Sequence, residues 1–139
     1  MRQHSTTFEI ATQGRGLHEF TREVEAWVRA SGISTGLLSL HVRHTSASLL
    51  VQENADPTVA ADLERFLARL APDGDPIFRH DDEGPDDMPA HARAALTATG
   101  LSIPVAGGRL ALGTWQGIYL YEHRRAPHGR RVAAHLIGE

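Results

Sequence analysis

LSIPVAGGRLALGTWQGIYLYEHRRAPHGRRVAAHLIGE, residues 101–139, alternates short apolar runs with turn residues and carries no helical period. Residues 101–105, 109–112, 114–124 and 131–137 read as strands, with Gly107-Gly108 as a tight turn between the first two. Consecutive strands joined by short turns make a β meander. They do not give the regular strand–helix alternation of a doubly wound sheet.

Upstream, helices and strands are mixed. Residues 6–12 read as a strand that Gly14 and Gly16 break. Leu17, Phe20, Val24, Trp27 and Val28 recur at helical spacing, and Gly32 ends that helix. Gly36 opens a strand with Leu38, Leu40, Val42 and His44 on one face and Ser39, His41 and Arg43 on the other. Residues 47–52 continue as a strand. Asp56-Pro57 is an N-cap followed by a proline at the first helical position, and Val59, Leu63, Phe66, Leu67 and Leu70 make the apolar stripe of that helix. Pro72 stops it. Pro89 starts a short alanine-rich helix to about Thr99, with Gly100 as C-cap. The pattern predicts a single α+β domain over 1–139, with a β-sandwich-like, mixed or antiparallel core and about three helices.

At 139 residues, 41% hydrophobic and 22% charged, the chain can bury one core without staples. Cysteine is absent, which excludes disulfides, thiolate catalysis and cysteine-ligated zinc. All 14 basic residues are arginine, which excludes a lysine Schiff base and a P-loop. No apolar run approaches the roughly 20 residues that span a bilayer, and no signal-peptide pattern precedes the first strand. The expectation is a cytoplasmic protein that binds no membrane. The net charge of −3 is uneven, because residues 73–87 hold seven acids and one base while the remainder is +3. That acidic segment argues against a nucleic-acid surface.

Nine histidines are the main chemical resource. His44 shares a strand face with apolar residues, so its ring is expected to point inward. His91 falls in the first turn of the helix opened by Pro89, where the helix dipole favours a neutral imidazole. His80 sits in Arg79-His80-Asp81-Asp82-Glu83-Gly84, which does not match a calcium loop. A core histidine and local hydrogen bonds are the ordinary alternatives for each. Brought together, the three would form a three-ligand site with an open position, as in catalytic zinc centres. Ser46 and Ser48 lack a nucleophile elbow. Arg124, Arg125, Arg130 and Arg131 crowd one hairpin and form a candidate anion site.

Three motifs then stand in order. The first is His44-Thr45-Ser46-Ala47-Ser48-Leu49 with Glu53-Asn54 and Asp56-Pro57. The second is His80-Asp81 with Glu83-Gly84 and Asp87-Met88-Pro89-Ala90-His91. The third is Leu112-Gly113-Thr114-Trp115-Gln116-Gly117-Ile118-Tyr119-Leu120 with Glu122, followed by Gly129-Arg130-Arg131-Val132. Together, over nearly the whole chain, they resemble the YjbQ-like family of secondary thiamine-phosphate synthases.

The resemblance implies an α+β fold with a sandwich core and a homotrimer. It also implies an enzyme that joins hydroxymethylpyrimidine pyrophosphate to a thiazole phosphate and releases pyrophosphate. Matched motif to motif, it implies a metal site of His44, His80 and His91, with zinc as the expected ion and magnesium the alternative beside a pyrophosphate. Asp81 or Glu53 would act as base or ligand. Thr45, Ser46, Gln116, Arg130 and Arg131 would contact the small phosphorylated heterocycle. The competing expectations are a metal-dependent hydrolase of a phosphorylated metabolite and a non-catalytic metabolite-binding module.

Overall fold

The computed structural model describes residues 1–139. In chain order the elements are β1 (Arg2–Ala11), β2 (Gly16–Glu19), α1 (Thr21–Ser31), β3 (Gly36–Val42), β4 (Ala47–Glu53), α2 (Pro57–Leu70), α3 (Asp87–Leu96), β5 (Gly100–Ala106), β6 (Arg109–Leu110), β7 (Gln116–Glu122) and β8 (Gly129–Gly138). They form two antiparallel sheets, one in the order β1-β8-β3-β5-β6 and one in the order β2-β7-β4. The expected α+β domain with three helices is present.

The core is made by period-two alternation on the two sheets together with one face of α1. Leu38, Leu40 and Val42 of β3, Ile103 and Val105 of β5, and Val132, Ala134 and Leu136 of β8 point inward from the larger sheet. Ala47 and Leu49 of β4 and Ile118 and Leu120 of β7 meet them from the smaller one, and Val24 and Val28 of α1 close the cluster. The larger sheet has no cover on its other face, where Ser5, Thr7, Ser39, His41, Ser102 and His135 are exposed. The smaller sheet is covered on both: the alternate residues Tyr119, Tyr121 and His123 are also buried. On that side Tyr121 and the α3 residue Arg93 both bond Glu64 of α2. No helix is long and apolar enough to cross a membrane.

Several boundaries differ from the sequence reading. Leu17 fits the helical stripe by spacing but lies in β2, opposite Tyr121, because backbone pairing with β7 outweighs the period. α1 therefore starts at Thr21. α3 starts at Asp87 rather than Pro89 and ends at Leu96, and Gly100 belongs to β5 instead of capping the helix. Its backbone faces the Leu40 carbonyl oxygen at 3.3 Å from where a Cβ would stand, a close approach that suits glycine.

Candidate metal centre

The acidic segment that follows α2 folds back so that α3 begins beside the turn joining β3 and β4. Asp87 is the first residue of α3 and His91 lies four residues later, so their side chains share one helix face. Asp87 is 1% exposed. Its Oδ2 lies 2.8 Å from His80 Nε2 and 3.2 Å from His91 Nε2. The donor atoms of His80, Asp87 and His91 all fall within 4.8 Å of one another. Burial opposes ionisation of Asp87. The hydrogen bond from His80 and the positive charges of its neighbours outweigh it, so the carboxyl is held below its usual range.

The hydrogen-bond chemistry of His91 decides what this group can hold. Its Nδ1 lies 2.9 Å from the carbonyl oxygen of Thr45. A carbonyl only accepts, so Nδ1 carries the hydrogen. In the neutral ring Nε2 then presents a lone pair, and that lone pair faces an anionic oxygen at 3.2 Å. Either a proton or a cation must stand at Nε2. A histidine that donates its far nitrogen to a backbone carbonyl is the usual arrangement of a metal ligand. Two bonds of about 2.0–2.1 Å meeting at about 90–110° hold their donor atoms about 2.8–3.4 Å apart. The observed 2.8 and 3.2 Å lie within that range. Two imidazoles and one carboxylate suit zinc or another first-row transition ion better than magnesium, which favours oxygen donors.

Of the expected ligands, His80 and His91 come together and His44 does not join them. β3 ends at Val42, so the strand phase does not carry as far as His44. Its half-buried ring turns to β8, where Nε2 accepts the N–H of Arg131 at 2.8 Å. Burial, then the charge of Arg130, lowers its pKa, consistent with that accepting role. Asp87 takes the place expected of His44. With the helix start read at Pro89, the sequence left Asp87 outside the helix, so its shared face with His91 appears only in the structure.

The other expected residues are dispersed. Asp81 lies in the exposed loop and lines, with His80, Asp75, Phe78 and Met88, a cleft of about 380 Å³. Thr45 contributes its backbone carbonyl. Ser46 is buried, and its Oγ accepts from Arg130 at 2.9 Å. Glu53 caps its own turn, accepting the N–H of Asp56 at 3.0 Å. Gln116 folds over the preceding turn, its Oε1 accepting from Gly113 at 2.7 Å. Glu53 pairs with Gln116 at one end of the smaller sheet, while Ala47 pairs with Glu122 at the other. Six strand residues separate the ends by roughly 20 Å. Within one chain, neither Glu53 nor Gln116 reaches a substrate held at His80 and His91.

Most of the arginine hairpin is already paired with carboxylates. Arg130 is 5% exposed, and its guanidinium grips Glu122, which is fully buried. Burial would raise the Glu122 carboxyl. The Arg130 fork, the Arg124 N–H and the Thr12 hydroxyl outweigh that and hold it down. Arg125 and Arg15 both pair with Asp73. Arg131 keeps an exposed side chain, with Glu9 at 3.7 Å.

His123, which no motif singled out, is fully buried, with Nε2 2.8 Å from Ser48 Oγ and no partner at Nδ1. Burial and the Arg93 charge push its pKa down to about 3, so the ring is neutral. Ser48 and His123 are both fully buried, so the pair has no access to a substrate.

A family model, described as UPF0047 protein YjbQ-like, matches residues 6–139. The UPF0047 protein sll1880 of Synechocystis sp. is 55% identical over 138 residues, covering 99% of this chain and 94% of its own. The UPF0047 protein YjbQ of Escherichia coli O157:H7 is 44% identical, covering 98% and 99%. The crystal structure of a conserved hypothetical protein, TT1486 from Thermus thermophilus, superposes with a TM-score of 0.84 at 42% identity, over 95% of this chain and 99% of that one. With the two-sheet fold and the three motifs in order along it, these matches establish that the chain belongs to the YjbQ-like UPF0047 family.

Proposed function

We propose that this protein is a metal-dependent enzyme acting on a small phosphorylated heterocycle, with His80, Asp87 and His91 as the metal-binding face. The observation that carries the reading is the His91 ring, anchored through Nδ1–H to Thr45 and presenting Nε2 to the Asp87 carboxylate. A bound ion would supply Lewis-acid stabilisation of phosphate oxygens. Arg124, Arg125 and Arg130 are committed to carboxylates, so that ion would take over the charge neutralisation expected of their guanidinium forks. The cleft beside His80 offers Phe78 and Met88 as apolar surface for a ring. Asp81 stands on its rim, where it can accept a proton from a substrate group.

The reaction we favour is the thiamine-phosphate synthase-type coupling, in which a bond forms to the thiazole and pyrophosphate leaves. A second reading, hydrolysis, is favoured by one observation: three protein donors leave coordination positions open to water. One experiment separates them. Zinc-loaded protein is incubated with hydroxymethylpyrimidine pyrophosphate, with and without the thiazole phosphate, and pyrophosphate is measured. Release that requires both substrates supports coupling, and release without the thiazole supports hydrolysis. No release in either case, against a metal-only blank, removes both.

The same proposal includes self-association. The uncovered face of the larger sheet offers a broad surface, rich in serine, threonine and histidine, for a second copy. Sedimentation at micromolar concentration should give a homo-oligomer, a trimer by the family resemblance, and a monomer would remove this part.

A further inference from the structure

Asp87 has two carboxylate oxygens, and the structure uses them for different purposes. Oδ2 faces the two imidazoles, while Oδ1 lies 3.0 Å from Arg124 NH1. The rest of the same guanidinium is also engaged. Its Nε donates to Asp86 Oδ2 at 3.0 Å and its NH2 donates to the Glu83 carbonyl at 3.0 Å. The backbone N–H of Arg125 binds the same Asp86 oxygen at 3.0 Å. One side chain from the connection between β7 and β8 thus gathers three points of the segment that carries Asp87. The side chain of Asp86, which precedes α3, is turned toward the hairpin and makes no capping hydrogen bond to the helix. Arg124 is 18% exposed and Asp86 13%, so these contacts are largely shielded from solvent.

We propose that Arg124 is a positioning residue of the metal centre, holding Asp87 as a one-oxygen ligand by occupying Oδ1. The proposal rests on the metal reading above. A carboxylate free at both oxygens can chelate an ion through both and fill a coordination position. With Oδ1 held by a guanidinium, Asp87 contributes one bond, and a position stays open for substrate or water. The planar fork matters as much as the charge. Three directed contacts at Nε, NH1 and NH2 cannot be reproduced by the single ammonium of lysine. Partners that orient metal ligands in this way typically carry about 10–100-fold in metal affinity.

The test uses metal ions alone on the full chain. Wild type, Arg124→Ala and Arg124→Lys are titrated with Zn(II) by competition against a chromophoric chelator. They are then loaded with Co(II), whose visible absorption reports coordination number. Unfolding midpoints are measured alongside. In folded Arg124→Ala, Zn(II) affinity should fall about 10–100-fold, and the Co(II) bands should weaken as coordination number rises. Arg124→Lys should show the same spectral change, and it carries the test if the alanine variant does not fold. Wild-type affinity and an unchanged Co(II) spectrum in both variants would overturn the role of Arg124 and leave the centre standing. Failure of folded wild type to bind either ion would overturn the centre, and the role of Arg124 with it.

Discussion

Asp87→Asn should strip the protein of zinc while leaving it folded, and His44→Ala should not. Asparagine keeps the shape of the side chain and an oxygen for Arg124, but it removes the negative charge that the two imidazoles share at 2.8 and 3.2 Å. Losing a ligand should cost more than losing a partner of a ligand, so affinity should fall by more than roughly 100-fold. His44 lies outside the donor group, and its Nε2 is occupied by the Arg131 N–H. The measurements are elemental analysis after dialysis and a competition titration of the two variants against wild type. Because protons compete with metal for imidazole nitrogen, wild-type affinity should also fall as pH is lowered. Full zinc in Asp87→Asn together with loss in His44→Ala would restore the all-histidine site that the motifs suggest.

The largest effect on stability should come from Glu122→Gln. The Glu122–Arg130 pair is buried, at 0% and 5% exposure, and one arginine nitrogen also binds Ser46. Removing the carboxylate leaves a guanidinium in the interior without its counter-charge, which costs about 3–5 kcal/mol. That is a large share of the roughly 5–15 kcal/mol available to a domain. Urea unfolding at pH 7 measures it. Replacing both partners, as Glu122→Leu with Arg130→Met, should be less damaging than the single change, because no buried charge is stranded. Recovery should be incomplete, since Thr12 Oγ1 and the Arg124 N–H still lose their acceptor.

The pH dependence has a definite sign. The folded pKa of Glu122 lies below its ordinary value of 4.5, so its contribution is full above that value and is lost as pH falls through the folded pKa. Glu122→Gln should lack that part of the acid transition. A change of less than about 1 kcal/mol at pH 7 would mean that the pair is hydrated in solution.

The fold was largely legible in the sequence, and the candidate site only in part. Strand phase found Leu38, Leu40 and Val42, and the Asp56-Pro57 signal found the start of α2, where Asp56 does accept from Thr58. These are local properties. Leu17 was misread because three-residue spacing is common to helices and to chance, and only pairing with Tyr121 from the far end of the chain resolves it.

At the site, His80 and His91 were found by residue type. Asp87 was hidden among seven acids in its segment, and nothing local says that it alone is buried. The arginine cluster misled for a related reason. Its carboxylate partners Asp73 and Asp86 lie about forty to fifty residues away in sequence, so the neutralisation of those guanidinium groups emerges only once the chain is folded.

The position of β8 has consequences for how the chain folds during synthesis. β8 is made after every other strand of the two sheets, yet it lies between β1 and β3 and is the sole partner of β1 in the sheet. While the ribosome is adding the preceding segments, β1 has ten residues of unsatisfied backbone and no strand to accept them. The larger sheet therefore cannot close vectorially from the N-terminus. Its assembly waits for ladder contacts spanning most of the chain, the kind of topology that folds slowly. Until then the nascent protein presents a strand able to pair with another chain, the form of exposure that chaperones act on.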